Sequence, residues 1–196
     1  MWFAPPLRIG LTVMLASSLW LTPWSSSRVK DVSVSDSTSA FSFRSQADAE
    51  LTEWAFRRFE QARLDLPPVA IAFHDDKQSC HGNFGLHRSG TRARIDICGF
   101  NWDRFIPTAK KTILHELGHA WADHNLTEEA RLSFVRERGL ATWGDDGTPW
   151  EARGSEHAAE IIAWALMDQG PFMTRISGSH PLELADAYRH LTGKAP

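Results

Sequence analysis

Between residues 47 and 66, Leu51, Trp54, Ala55, Phe56, Phe59, Ala62 and Leu66 recur at close to 3.6-residue spacing with Glu and Arg between them. This pattern predicts an amphipathic helix, stopped by Pro67-Pro68. Residues 69–73 are a short β-prone run, and residues 92–98 alternate Ala93, Ile95 and Ile97 with Arg92, Arg94 and Asp96, the two-residue period of a half-buried strand. A second helix is predicted from Pro107 through Ile113, Leu114, Leu117, Ala120 and Trp121 to about His124, since a first turn tolerates proline. Thr127, followed by Glu128 and Glu129, caps a third that ends near Gly139. A Gly/Asp-rich loop at 144–147 precedes a helix over about 155–168, and a last one covers 181–191. No internal repeat interrupts the pattern. The expected class is α+β, with a small antiparallel or mixed sheet whose strands at 69–73 and 92–98 pair antiparallel.

The first 46 residues follow neither period. Arg8 precedes an apolar run over 9–21, the length of a signal-peptide core and short of the ~20 residues of a bilayer span. Residues 1–24 therefore read as a signal peptide or an uncleaved N-terminal membrane anchor, which makes the chain an exported one: secreted, periplasmic or held at the cell surface. Residues 25–46 read as a flexible linker, because nine Ser and one Thr between positions 25 and 45 bury too little surface to offset their ordering entropy. Residues 47–196 then form one domain.

Charge narrows the partners. The chain carries −3 at pH 7, and from Ala47 onward 17 basic residues face 22 acidic ones. No basic field is available to hold a phosphate backbone, so nucleic acid is not an expected partner. Cys80 and Cys98 are the only cysteines and, in an exported chain, most simply pair, closing a loop of about 19 residues worth about 3 kcal/mol. A metal knuckle of Cys80, His81 and His87 lacks a second close Cys pair.

The specific signal is His115-Glu116-Leu117-Gly118-His119, an H-E-x-x-H pentad inside the second helix. Residues four apart stand one above the other on a helix, so both imidazoles can reach one Zn²⁺. Glu116 lies one step round, where it can take a proton from an attacking water. Hydrolytic zinc sites use three protein ligands and keep one position open, so the third ligand lies elsewhere. A metzincin would carry Gly and His where Ala122 and Asn125 stand; an aspzincin-like Gly147-Thr148 is followed by Trp150 and Arg153 instead of Asp and Tyr.

The run Ser155-Glu156-His157-Ala158-Ala159-Glu160-Ile161-Ile162-Ala163-Trp164 resembles the glutamate helix of gluzincins, metallopeptidases whose third zinc ligand is a Glu on a later helix. The resemblance spans roughly residues 92–168 and implies a minimal zincin-like fold. It implies Glu156 as third ligand and Glu160, one turn on, as the partner that orients His115 or His119. His157, as in SprT-like proteins, and Glu160 are the alternative third ligands. It further implies that an edge strand beside the metal, here residues 92–98, pairs with an extended peptide or protein substrate. Candidate donors to the transition state are Tyr188, His157, Arg153 and His180. Trp121, Trp143, Trp150 and Trp164 are expected in the core, and His74, His81 and His87 on the surface. The implied activity is zinc-dependent peptide-bond hydrolysis with Glu116 as general base; the rivals are an inactive zinc-binding interaction domain and a zinc amidase acting on cell-wall peptides.

Overall fold

The computed structural model describes residues 39–100, 106–145, 147–168 and 174–196. The leader at 1–24 and the linker up to residue 38 lie outside the described residues. Four strands, β1 (Ala40–Ser42), β2 (Val69–His74), β3 (Gly85–Arg88) and β4 (Ala93–Cys98), form one sheet in the order β1-β2-β4-β3. Five helices accompany it: α1 (Gln46–Gln61), α2 (Ile106–Asn125), α3 (Glu128–Glu137), α4 (Gly154–Leu166) and α5 (Pro181–Thr192). The fold is α+β with a mixed sheet.

Two expectations about the sheet are corrected. β2 and β4 pair parallel, Val69 with Ala93 through His74 with Cys98, and only β3 runs antiparallel, hairpin-fashion, against β4. Residues 92–98 therefore supply an interior strand, with β3 as the edge. The physical reason lies in burial: Ala93, Ile95, Asp96, Ile97 and Cys98 are all buried, so both faces of β4 are covered. The linker reading is corrected at its end as well. Ala40–Ser42 pair in parallel with Ala70–Ala72, and Ser45 caps α1 in a reciprocal box with Asp48.

α1 ends earlier than its apolar stripe suggests. Arg63 adopts φ 56°, and the Leu64 N–H turns back to the Phe59 carbonyl at 2.9 Å, placing Leu64 in the core at 3 % exposure. Val69, Ile71, Phe73, Ile95 and Ile97 give the sheet its apolar face, joined in one core with Ile113, Leu114 and Leu117 of α2 and Ile161 and Ile162 of α4. Each such side chain contributes about 1.5–3 kcal/mol by leaving water. Cys80, at the end of a 3-10 turn (Gln78–Cys80), is bonded to Cys98, with Cα atoms 6.1 Å apart, and so ties that turn to β4. Cys80 is thereby excluded as a metal ligand.

Candidate metal centre

The most extensive helix–helix contact is that of α2 with α4. It is close because small residues meet: a Cβ placed on Gly118 would stand 3.0 Å from the Ala159 Cα and 3.2 Å from its carbonyl oxygen. The start of α4 is fixed from outside the helix, with the Gly154 N–H donating to the Thr142 carbonyl (2.8 Å) and the Ser155 N–H to that of Trp143 (2.7 Å). These anchors set Glu156, in the first turn of α4, opposite the inner face of α2.

There three atoms converge. His115 Nε2 and Glu156 Oε2 are 3.1 Å apart, His119 Nε2 and His115 Nε2 3.1 Å, and His119 Nε2 and Glu156 Oε2 3.2 Å. Donors held by a tetrahedral zinc at about 2.0–2.1 Å lie roughly 3.3 Å from one another, so the triangle fits such an ion. The donor chemistry points the same way. His115 Nδ1 lies 3.4 Å from Glu160 Oε2, a contact of charge rather than an aligned hydrogen bond, and its proton belongs on that side, facing the carboxylate. In the neutral ring the Nε2 lone pair of His115 then points toward His119 Nε2 and Glu156 Oε2, the form that takes a metal ion. His115, His119 and Glu156 are accordingly a group that could hold a metal ion.

Electrostatics repeats the demand for positive charge. Burial opposes a charged His115, yet the hydrogen bond to Glu156 and the carboxylates of Glu160 and Glu116 push its pKa up to about 10. Burial likewise opposes the Glu156 carboxylate, and contacts to His115 and His119 still hold it well below the usual range. Glu160, 2 % exposed, is also held low, against its burial, by His115 and by Lys111 Nζ at 2.6 Å.

Glu116 follows His115 on α2 and is 7 % exposed. A Cβ on Gly85 would come within 2.7 Å of its Cγ and Cδ, so a side chain on the edge strand would displace this carboxylate. Burial raises the Glu116 pKa against the opposing pull of His115 and His119 and of a hydrogen bond accepted from the His87 backbone N–H. That bond follows from strand register. The Cys98 N–H donates to the Phe84 carbonyl (2.8 Å), so the alternation of antiparallel pairs turns the peptide groups of Gly85 and His87 away from β4.

Other expected positions are redistributed. His157 is fully buried with Nε2 2.9 Å from the Glu151 carbonyl, and it is not among the three converging residues. Tyr188 is buried in α5, and the His180 imidazole caps that helix; neither lines the cleft over the triad, whereas Arg153 does. That cleft, about 870 Å³, is also walled by Trp143 and Trp150, while Trp121 stays in the core. Trp150 stacks on His115 with centroids 6.1 Å apart and an 18° interplanar angle.

His87 corrects the surface expectation. Its side chain is 9 % exposed, its ring lies face to face with His119 at 5.7 Å, and burial together with the neighbouring imidazoles lowers its pKa to about 4. The sequence carried one usable signal for this, since Gly85 and His87 stand two apart, but neither is β-branched. His81 is exposed as expected, and His74 is half-buried against Asp96 at 2.8 Å.

Comparison with protein-family models, with curated proteins and with solved structures returns no match for this chain. The disulfide suggests an extracytoplasmic setting. Among the described residues no helix is long and apolar enough to cross a membrane.

Proposed function

We propose that this chain is an exported zinc-dependent metallopeptidase of the gluzincin kind. The observation that supports it most is the convergence of three acceptor atoms from α2 and α4 beside a buried carboxylate, Glu116, under the edge strand. His115, His119 and Glu156 are the residues that would hold the zinc, and Glu160 would orient His115. When bound there, zinc polarises a carbonyl and lowers the pKa of water.

The remaining chemistry belongs to the chain. Glu116, its pKa raised by burial, accepts the proton of the attacking water on its carboxylate and delivers it to the departing amine. Gly85 leaves room for that carboxylate, and the His87 N–H holds it from above. β3 has no strand on its other side among the described residues, and the outward N–H and carbonyl of Gly85 and the outward carbonyl of His87 suit an extended peptide laid along it. The substrate-pairing edge moves from residues 92–98 to β3.

Zinc content and hydrolysis, measured together, test the reading. The wild-type chain should bind about one zinc and cleave peptides, and Glu116→Gln should keep the zinc while losing about 10²–10⁴-fold in rate. An active Glu116→Gln protein removes Glu116 as the base. Zinc binding with no cleavage of casein or of cell-wall peptides by the wild type would leave an interaction domain; cleavage of wall peptides alone would leave an amidase.

A further inference from the structure

Among the described residues, the Arg and Lys side chains along the cleft other than Arg175 each have a polar partner within the chain. Arg88 is paired with Asp96, Lys111 with Glu160 (2.6 Å) and Arg131 with Asp123 (3.5 Å); Arg153 donates to the Thr148 carbonyl at 2.7 Å. Arg175 also lines the cleft, is exposed, and has no carboxylate beside it among the described residues. Its contact is with a ring: the guanidinium carbon lies 5.3 Å from the Trp150 centroid, and Trp150 itself stacks on His115. A guanidinium seated over an indole face still has N–H groups to offer, and its planar fork takes a carboxylate through two parallel hydrogen bonds.

Arg175, Trp150 and His115 therefore form a stack that starts at the metal group and ends in a cation with no carboxylate beside it among the described residues. The two stacking distances put the guanidinium at most about 11 Å from the His115 ring, roughly three residues of extended strand at about 3.3 Å each. Trp150 is held in place from below, because buried His157 bonds the carbonyl of Glu151 in the same turn (Trp150–Ala152).

We propose that Arg175 is a specificity determinant that binds a carboxylate of the substrate, within about three residues of the bond at the metal. This rests on the peptidase reading. The carboxylate can be an Asp or Glu side chain or the peptide's C-terminus, and the test separates the two.

Three sets of fluorescein-labelled peptides would be titrated by anisotropy against the full chain carrying Glu116→Gln and loaded with zinc. One carries a single Asp at varied positions with an amidated C-terminus, one has no acid but a free C-terminal carboxylate, and one has neither. At least one carboxylate peptide should bind about tenfold more tightly than the neutral one, and the set it belongs to names the source. Arg175→Gln should bring the ratio to about one, and Arg175→Lys should restore part of it. Equal binding by all three sets, binding by none, or a preference kept in Arg175→Gln overturns the proposal. The two readings fail separately. Peptides bound with the preference but never cleaved by the wild type remove the peptidase and leave the carboxylate site, whereas cleavage without the preference removes only the carboxylate site.

Discussion

Two carboxylate clusters, one centred on Asp96 of β4 and one on Glu156 of α4, are opposites. Asp96 on β4, 3 % exposed at its side chain, is surrounded by groups that can donate: His74 Nε2 at 2.8 Å, Arg88, and Arg94 at 4.0 Å. Glu156 on α4 meets His115 Nε2 at 3.1 Å and His119 Nε2 at 3.2 Å, nitrogens that in the neutral rings can turn lone pairs toward a shared metal ion. The first cluster is complete as it stands. The second brings together two imidazole nitrogens and a carboxylate oxygen, the set of atoms that a metal cation takes as ligands. Burial of polar groups is thus no mark of a site by itself; the sign of what converges is.

The largest expected effect separates the clusters by metal. Zinc at a thousandfold excess over its Kd should stabilise the wild-type chain by about 4 kcal/mol, read as a shift of the urea midpoint that EDTA reverses. Glu156→Gln should abolish that shift, while Asp96→Asn should keep it in full. Equal zinc stabilisation of the wild type and Glu156→Gln would place the third ligand elsewhere.

Next, Glu160→Gln should weaken zinc binding about 10–100-fold by competition titration, since it loosens the orientation of His115 without removing a ligand. An unchanged Kd would leave Glu160 as a partner of Lys111 alone.

Asp96→Asn tests the other cluster and should cost about 2 kcal/mol at pH 7. Its pH dependence has a definite sign. Burial raises the Asp96 pKa, but the hydrogen bonds of His74 and Arg88 and the charges of Arg88 and Arg94 bring it below the ordinary 3.8. A lowered folded-state pKa means that this stability is present above pH 3.8 and lost as the pH falls through the folded value. The gap between wild type and Asp96→Asn in denaturant midpoints should therefore narrow on acidification below that point.

The smallest effect concerns the backbone that brings the metal group together. Gly118→Ala adds helix propensity but sets its methyl 3.0 Å from the Ala159 Cα. The net destabilisation should be about 1 kcal/mol, with a measurable loss of zinc affinity as α4 shifts. Full affinity in this variant would show that the spacing of α2 and α4 is not critical.

All five helices were legible in the chain, to within a few residues at their ends except where α1 stops short. Their apolar stripes, the Thr127 cap and the prolines are local signals, and the i, i+4 geometry of a helix follows from spacing alone. The same locality made His115, Glu116 and His119 visible as a constellation. β1 and β3 were not legible: Ala40–Ser42 lie in a Ser-rich stretch, and Gly-Leu-His-Arg has neither a β-branched residue nor clean alternation.

By itself, then, the sequence determined the helices, the pentad, the two cysteines available to pair and the class of chain. Only the tertiary structure decided that β2 and β4 run parallel, that β3 forms the edge, and that His87 is drawn in against His119. It also decided that Glu156, rather than His157, meets the histidines. These are pairings between residues far apart in the chain, such as Gly118 with Ala159 and Gly85 with Glu116, and they depend on which surfaces bury one another. A period of 3.6 or 2 places a side chain on a face; what lies opposite that face is settled by packing.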